Sequence, residues 1–428
     1  MSPYRTSRLI ALVVGAILPL FLTSGARADD AEVLPKGVSN AYLGNFFYPF
    51  PTTDRFNKHG DTEPIANAFD GRRLDSTVFP TLLGPPLPPG TNIGTSFIKF
   101  RYDYNILNFG ASYGITDRLA AGIDIPYYYA HNKVKASLDP SGATLGIGAG
   151  GAFAFCPCGG PGQPRPVNTD DVQQLLRSRF GFKRVESFTD DGLGDITALF
   201  KYQYFRTEDW RLATSLGARF PTGRQDDPDN LADIPWSPGN YAILLRLHND
   251  YVLSNLWKER PAPSGAGPVT RQEGDLVVNF TFRYDWNLPT DVTVRISDAS
   301  NPITTNKESV TRKLGDKFEF ELSGRYYLLK ALSFTGLYRY AFKVEDVIRG
   351  HRFNTRALEE DTDSNEQLYI LGVNYSLLPL YLEKRFPIPL NLSLTYRDRF
   401  AGRGTSNAAS PSQILKTRYI NFTLSVPF

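Results

Sequence analysis

Cysteine, methionine and histidine are nearly absent from this 428-residue chain, which has two, one and four of them respectively. Cys156 and Cys158 cannot by themselves build the cross-linked scaffold of a small secreted domain. Separated only by Pro157, they would close a small strained ring, and their loop from Gly142 to Pro166 offers too few further ligands for a metal. No cofactor or metal is therefore expected. Long hydrophobic runs are also missing: beyond residue 28 none reaches the roughly 18 residues of a membrane helix, and mean hydropathy is −0.29. A helical membrane protein is excluded.

An excess of one charge is lacking as well. Arg5 and Arg8 precede an apolar run from Leu9 to Leu22, and Ala26-Arg27-Ala28 is a small-x-small site, so residues 1–28 read as a cleavable signal peptide. Without those three arginines the 47 basic residues fall to the same number as the 44 acidic ones. A neutral chain gives no case for nucleic acid, which needs a basic patch. Aromatics, by contrast, are plentiful: 29 Phe, 23 Tyr and 4 Trp. In an exported chain that load suits a secreted β-sandwich or a membrane barrel with aromatic girdles.

Period-two alternation decides between them. From Asp275 to Trp286, Leu276, Val278, Phe280, Phe282, Tyr284 and Trp286 share one face, while Asp275, Asn279, Thr281, Arg283 and Asp285 share the other. The pattern recurs in segments near the roughly 9–11 residues that a tilted membrane strand needs. Short links at Thr116-Asp117-Arg118, Thr207-Glu208-Asp209 and Leu329-Lys330 alternate with long polar ones at about 132–190, 223–239, 287–314, 346–365 and 401–413. Short periplasmic turns and long extracellular loops are the habit of outer-membrane barrels. Two links on the short side, Ser254 to Glu273 and Pro379 to Pro389, exceed that pattern.

The reading is therefore an all-β, transmembrane antiparallel β-barrel of about twelve strands: 40–48, 96–115, 118–131, 192–205, 208–221, 240–253, 274–286, 316–328, 331–345, 366–378, 389–400 and 414–428. The second strand changes apolar parity between Tyr104 and Leu107. Either a β-bulge lies near Asn105, or this is a hairpin and 40–48 is no strand. Residues 29–93 form an N-terminal segment holding that first strand and a Pro-rich stretch, 49–93, too rich in Pro85-Pro86 and Pro88-Pro89 for regular strand. It is either an extracellular loop or a lumen plug, and the barrel proper covers 94–428. Asp170 to Phe180 reads as a short helix, capped by Asp170 or Asp171, that could lie over the barrel mouth.

Several ordered blocks carry a family resemblance. Tyr113-Gly114-Ile115-Thr116-Asp117-Arg118-Leu119, Gly122-Ile123-Asp124-Ile125-Pro126-Tyr127, Gly192-Leu193-Gly194-Asp195-Ile196 with Lys201-Tyr202, and Arg219-Phe220-Pro221-Thr222-Gly223 resemble outer-membrane proteins named for the meta-pathway of phenol degradation. The resemblance covers roughly 94–428 and implies a transport barrel, loosely similar to long-chain fatty acid transporter-type channels. The long 132–190 loop departs from it. Read for themselves, the same blocks supply tight turns and strand ends.

By parity the lumen receives Lys201, Arg211, Arg219, Arg246, Arg283, Lys317, Arg325, Arg339, Lys343, Arg397 and Arg399, against Asp124, Asp195, Asp250, Asp275, Asp285, Glu319, Glu321 and Glu345, with His248 on the same face as Asp250. In a narrow barrel most of these are expected to pair across the lumen. Unpaired, the basic excess would give a weakly anion-favouring pore. A hydrolase would need a Ser set against His248 with an acid behind it, and no Ser motif suggests one. His59, His131 and His351 lie near strand ends or in loops.

The expected function is an outer-membrane channel for small hydrophobic or aromatic molecules, with outer-membrane lipid and the barrel assembly machinery as partners. The competing class is a structural or adhesion barrel with a closed, salt-bridged lumen. Ile420, Phe422, Leu424, Val426 and Phe428 line one face of a last strand that stops on an aromatic, which resembles a barrel assembly signal. Deleting Phe428 is expected to lower the amount in the outer membrane severalfold with signal cleavage intact. Quantitative immunoblotting of membrane fractions checks this; unchanged levels would remove that role.

Overall fold

A chain crossing lipid with strands must pair every backbone N–H and C=O within the sheet, which only a closed sheet achieves. The computed structural model, which describes residues 30–79, 90–144, 167–233, 235–258, 272–297, 303–405 and 413–428, has that closure. Twelve strands run up and down in chain order: β1 (Ser39–Pro49), β2 (Asn92–Thr116), β3 (Leu119–Asp139), β4 (Ile196–Arg206), β5 (Trp210–Phe220) and β6 (Ala242–Val252) in the first half. The second half is β7 (Leu276–Asn287), β8 (Lys317–Tyr327), β9 (Leu332–Lys343), β10 (Ser364–Ser376), β11 (Asn391–Arg403) and β12 (Arg418–Pro427). Each pairs antiparallel with the next, and β1 pairs with both β2 and β12. The ring has no free edge. Its seam is tied at the lower rim by Ser39 and Phe428, whose backbones exchange hydrogen bonds of 2.9 and 3.0 Å.

The register explains why alternation was so regular. Phe280, Phe282 and Tyr284 of β7 stand opposite Leu322, Phe320 and Phe318 of β8, which stand opposite Tyr338, Tyr340 and Phe342 of β9. Phe318 stacks between Tyr284 and Phe342 with both centroid distances 4.9 Å. These rings face outward, and Phe280 is still 44% and Leu322 53% exposed. An unbroken apolar belt of this kind is stable only against lipid.

The parity change in β2 has a cause other than a bulge or a hairpin. β2 is one 25-residue strand, its register with β3 is continuous from Thr95 opposite Asp139 to Gly114 opposite Ala120, and Ser39–Pro49 is a true barrel strand. What changes is the surroundings. Below Asn105 the outward residues Leu107, Phe109 and Tyr113 meet lipid; above it, the inward Phe100 and Tyr102 are buried, 7% and 4% exposed, in an extracellular core. The apolar face moves from the outside of the ribbon to its inside once the ribbon leaves the membrane.

That core caps the barrel. Ile65, Leu74, Phe79, Val134, Phe180, Phe182, Val185 and Ile303 join Phe100 and Tyr102 in it. The described part of the Pro-rich stretch thus belongs to the cap, and it contains short strands, Asp54–Phe56, Thr62–Pro64 and Arg72–Asp75, the last pairing with β2. Helix α1 (Thr169–Phe180) also lies here. Its cap is Asn168 rather than Asp170 or Asp171: the Asn168 side chain accepts the Asp171 N–H while the Asp171 carboxylate accepts the Asn168 N–H. The signal peptide, Cys156 and Cys158, and the Pro85-Pro86 and Pro88-Pro89 pairs lie outside the described residues.

The two over-long lower links carry short helical turns, Leu253–Leu256 and α2 (Leu378–Leu382). Leu256, Trp257, Leu378, Tyr381, Phe386 and Ile388 are exposed there, an apolar fringe of the kind that anchors a barrel at the membrane boundary.

Phe280 occupies one of the two central outward levels of β7. Phe280→Arg is expected to cost roughly 2–4 kcal/mol, the range for a cation at the bilayer midplane. Urea unfolding in lipid vesicles measures it, and a cost near zero would mean that this face does not meet lipid.

Candidate functional site

On the inward face of the barrel charged side chains converge, and neighbouring strands bring them close. Arg283 of β7 reaches Glu319 and Glu321 of β8 at 3.2 and 3.1 Å; Arg339 of β9 reaches Glu321 at 2.7 Å. Lys317 of β8 bridges Glu319 at 2.7 Å and Glu366 of β10 at 3.2 Å, and Arg399 of β11 holds Glu366 at 2.6 Å. The result is a ladder over five strands. It runs around the wall, not across the lumen, because same-face residues on adjacent strands lie only about 5 Å apart. Glu366, the first residue of the strand that alternation predicts, is a link that the sequence does not reveal.

The other inward groups are placed singly. Arg219 lies 3.8 Å from Asp195 and 3.6 Å from Asp285. Arg246 faces Arg283 and Ser215 in register and is within electrostatic reach of Asp124 and Asp285. Asp124 accepts the Tyr42 hydroxyl at 2.5 Å, Arg325 donates to Thr335 at 3.3 Å, and Arg397 bonds the Tyr419 hydroxyl. Asp275 pairs with Lys258 at 3.4 Å and Lys343 with Asp346 at 2.5 Å. Glu345 does not enter the lumen. β9 ends at Lys343, the chain turns, and Glu345 is exposed while the neighbouring Asp346 points inward.

The segment before β1 enters the lower lumen. The Ala31 N–H donates to Asp250 at 3.0 Å, Gln203 donates to the Ala31 carbonyl at 2.7 Å, and Lys201 bonds the Asp30 carbonyl. Glu32 pairs with Arg211 at 2.5 Å. Asp30 and Glu32, with Asp250, Asn279, Arg325 and Tyr327, line a small cavity of about 30 Å³, room for one water. Residues 30–32 therefore fill the lower lumen against β4, β5, β6, β7 and β8. Gly114 allows the segment to enter, because a Cβ there would lie 1.9 Å from the Pro35 carbonyl oxygen.

The lumen wall opposite the ladder is aromatic. Tyr42, Tyr104, Tyr128 and Tyr419 point inward from β1, β2, β3 and β12, and Tyr128 stacks on Trp236 with rings 5.6 Å apart and 4° from parallel. The Arg224 guanidinium also lies over the Trp236 ring, 4.4 Å from its centroid. Tyr104 and Tyr128 share the inward parity of Phe100 and Tyr102 on the continuous ribbon of β2 and β3.

The blocks that carry the family resemblance do architectural work here. β3 leaves β4 after Asp124 and pairs instead with the short strand Phe188–Leu193. The Thr222 hydroxyl fills the break, donating to the Gly194 carbonyl at 2.7 Å and accepting the Ile196 N–H at 3.0 Å, while Asp195 accepts the Gly223 N–H at 3.1 Å. A Cβ on Gly194 would strike Tyr128 at 2.5 Å. In the cap, Glu308 accepts N–H groups of His351, Arg352 and Phe353 at 2.5, 2.8 and 3.1 Å. These bonds, the His351 one first, hold its carboxyl below the usual carboxylate range.

One juxtaposition was not legible in the sequence: Ser215 Oγ lies 2.8 Å from His248 Nε2. Asp250 does not stand behind the histidine, since its two oxygens take the Ala31 N–H and the Asn279 amide. Ser215 and His248 are 3% and 1% exposed.

Glu321 is the hub of the ladder, 1% exposed with Arg283 and Arg339 on one of its oxygens. Glu321→Gln is expected to cost roughly 3–5 kcal/mol, as for other buried pairs that lose one partner. Unfolding in vesicles measures it; a loss below about 1 kcal/mol, typical of exposed pairs, would mean that water screens the ladder.

No family model matches the chain and no curated protein matches it. Among solved structures, an outer membrane channel from Pseudomonas putida F1 is similar, with a TM-score of 0.49, 12% identity, and 94% of this chain covering 100% of that one. A FadL homologue of Pseudomonas aeruginosa gives a TM-score of 0.32 at 12% identity, over 92% of this chain and 90% of that one. A mutant of TodX, a monoaromatic hydrocarbon channel, gives 0.35 at 12% identity, over 92% and 91%.

Proposed function

We propose that this protein is an outer-membrane channel for small hydrophobic or aromatic molecules, closed at rest by its own N-terminal segment. The observation that carries the reading is the unlike character of the two lumen walls. Tyr42, Tyr104, Tyr128 and Tyr419 line one side, a lining with which an aromatic solute gains apolar contact. The ladder on the other side satisfies its own charges, so it attracts no ion strongly. Above both, the apolar cap core gives such a solute a first place to partition.

The closed state rests on residues 30–32. They contribute partners to Lys201, Gln203 and Arg211. Such a segment can leave as a unit, whereas the ladder cannot open without breaking the wall. A structural barrel with a permanently closed lumen is favoured by the ladder alone and does not account for the tyrosine wall. The Ser215 and His248 contact favours a hydrolase, but burial of both and the turned Asp250 leave a substrate no room; we read it as part of the wall.

Planar-bilayer recording and uptake of a toluene-sized solute into vesicles test the proposal. Wild type is expected to show brief openings. Asp30→Asn with Glu32→Gln is expected to raise the open fraction severalfold, and Tyr104→Ala with Tyr128→Ala to reduce solute uptake while conductance persists. A folded tail variant with neither current nor flux would favour the closed structural barrel.

A further inference from the structure

The β2 and β3 ribbon continues beyond the lipid belt, and its outer face there is basic. In register, Lys99 stands directly opposite Lys135 and Arg101 directly opposite Lys133. All four are exposed and point away from the cap core, in alternation with the buried Phe100, Tyr102, Asn132 and Val134. Like charges directly opposite each other on a strand pair are destabilising. One acid moderates them from below: Asp103 lies 2.9 Å from Arg101 and 3.3 Å from Lys133. Among the described residues nothing neutralises Lys99 or Lys135. The next outward groups are the apolar Phe97 above and His131 beside Asp103 below, whose ring bonds Thr189 at 2.6 Å. Below these, the Tyr127 hydroxyl is bonded to Asp191.

Height decides what the patch meets. The outward belt of β2 rises from Ile115 through Leu107 to Asn105, and ten residues of strand at about 3.3 Å each and about 40° of tilt span roughly 25 Å, the thickness of an outer-membrane apolar band. Arg101 and Lys133 then stand about 10 Å above the band and Lys99 and Lys135 about 15 Å above it by the same rise. This is the layer of phosphorylated sugars in the outer leaflet of a bacterial outer membrane, within reach of long basic side chains. The patch also continues directly from the lipid-facing surface, so a bound glycolipid could lay its acyl chains on Leu107, Phe109 and Tyr129 while its head meets the cations.

We propose that Lys99, Arg101, Lys133 and Lys135 form a docking site for the phosphate groups of lipopolysaccharide. Phosphate oxygens supply the counter-charge that the ribbon lacks, through charge-assisted hydrogen bonds from Arg101 and the three lysines. The site is independent of whether the lumen conducts.

The test uses the full-length mature protein in detergent micelles, titrated with purified lipopolysaccharide and followed by thermal unfolding and native mass spectrometry. Wild type is expected to retain one or more glycolipid molecules and to rise several degrees in Tm, with the rise falling as salt increases. Replacing all four residues by Gln removes like-charge repulsion, so this variant is expected to fold at least as well without glycolipid and to lose most of the gain with it. Lys99→Gln with Lys135→Gln, which keeps Asp103 and its two partners, is expected to lose part of it. Dephosphorylated lipopolysaccharide, inorganic phosphate and phosphatidylglycerol micelles are the comparison probes. Equal gains for wild type and the fourfold variant, or an equal gain with the dephosphorylated glycolipid, would overturn the proposal.

Discussion

Lipid offers no partner to a backbone N–H or C=O, and this single constraint shapes the rest of the molecule. It requires a closed ring of strands, and β1 meeting both β2 and β12 supplies it. A closed ring of pleated strands has an outside and an inside with a repeat of two residues. Apolar side chains such as Phe280, Leu322 and Tyr338 must take the outside. Most charges at the level of the belt are thereby confined to one narrow interior, while the outward Asp398 takes the hydroxyls of Tyr369 and Tyr396.

Confined charges find partners where geometry makes them nearest. On β7 to β11 the nearest groups are on adjacent strands, so Arg283, Glu319, Glu321, Arg339, Lys317, Glu366 and Arg399 link into one ladder along the wall. On β4 and β5 the segment before β1 brings Asp30 to Lys201 and Glu32 to Arg211, which stands opposite Asp250 of β6. The same physics thus produces a ladder within the wall on one side and, near the lower opening, ion pairs between the wall and the segment before β1.

Beyond the lipid the ribbons keep their alternation but exchange its meaning. The inward side of β2 and β3 becomes apolar because it covers the cap, with Phe100, Tyr102 and Val134 buried. The outward side becomes polar, and in β2 and β3 basic. A strand long enough to cross both environments therefore carries the record of the membrane boundary in its own side chains, near Asn105.

Period-two alternation, with the alternation of short and long links, pointed to the fold class, to about twelve strands and to a shared face for Asp124, Arg219, Arg246, His248, Asp250, Arg283, Glu319, Glu321 and Arg397, because side-chain direction in a strand is a local property of the backbone. The tertiary structure decided everything that depends on register between strands: the ladder along the wall, the place of Glu366 in it, the approach of Ser215 to His248, and the exclusion of Glu345 once β9 ends. It also decided what each face meets. Alternation cannot distinguish lipid from an apolar cap, so the parity change near Asn105 looked like a bulge in one dimension and is an uninterrupted strand in three. The entry of the segment before β1 belongs to the same class of facts, since Asp30 and Glu32 are ordinary acidic residues until closure of the barrel brings Lys201 and Arg211 around them.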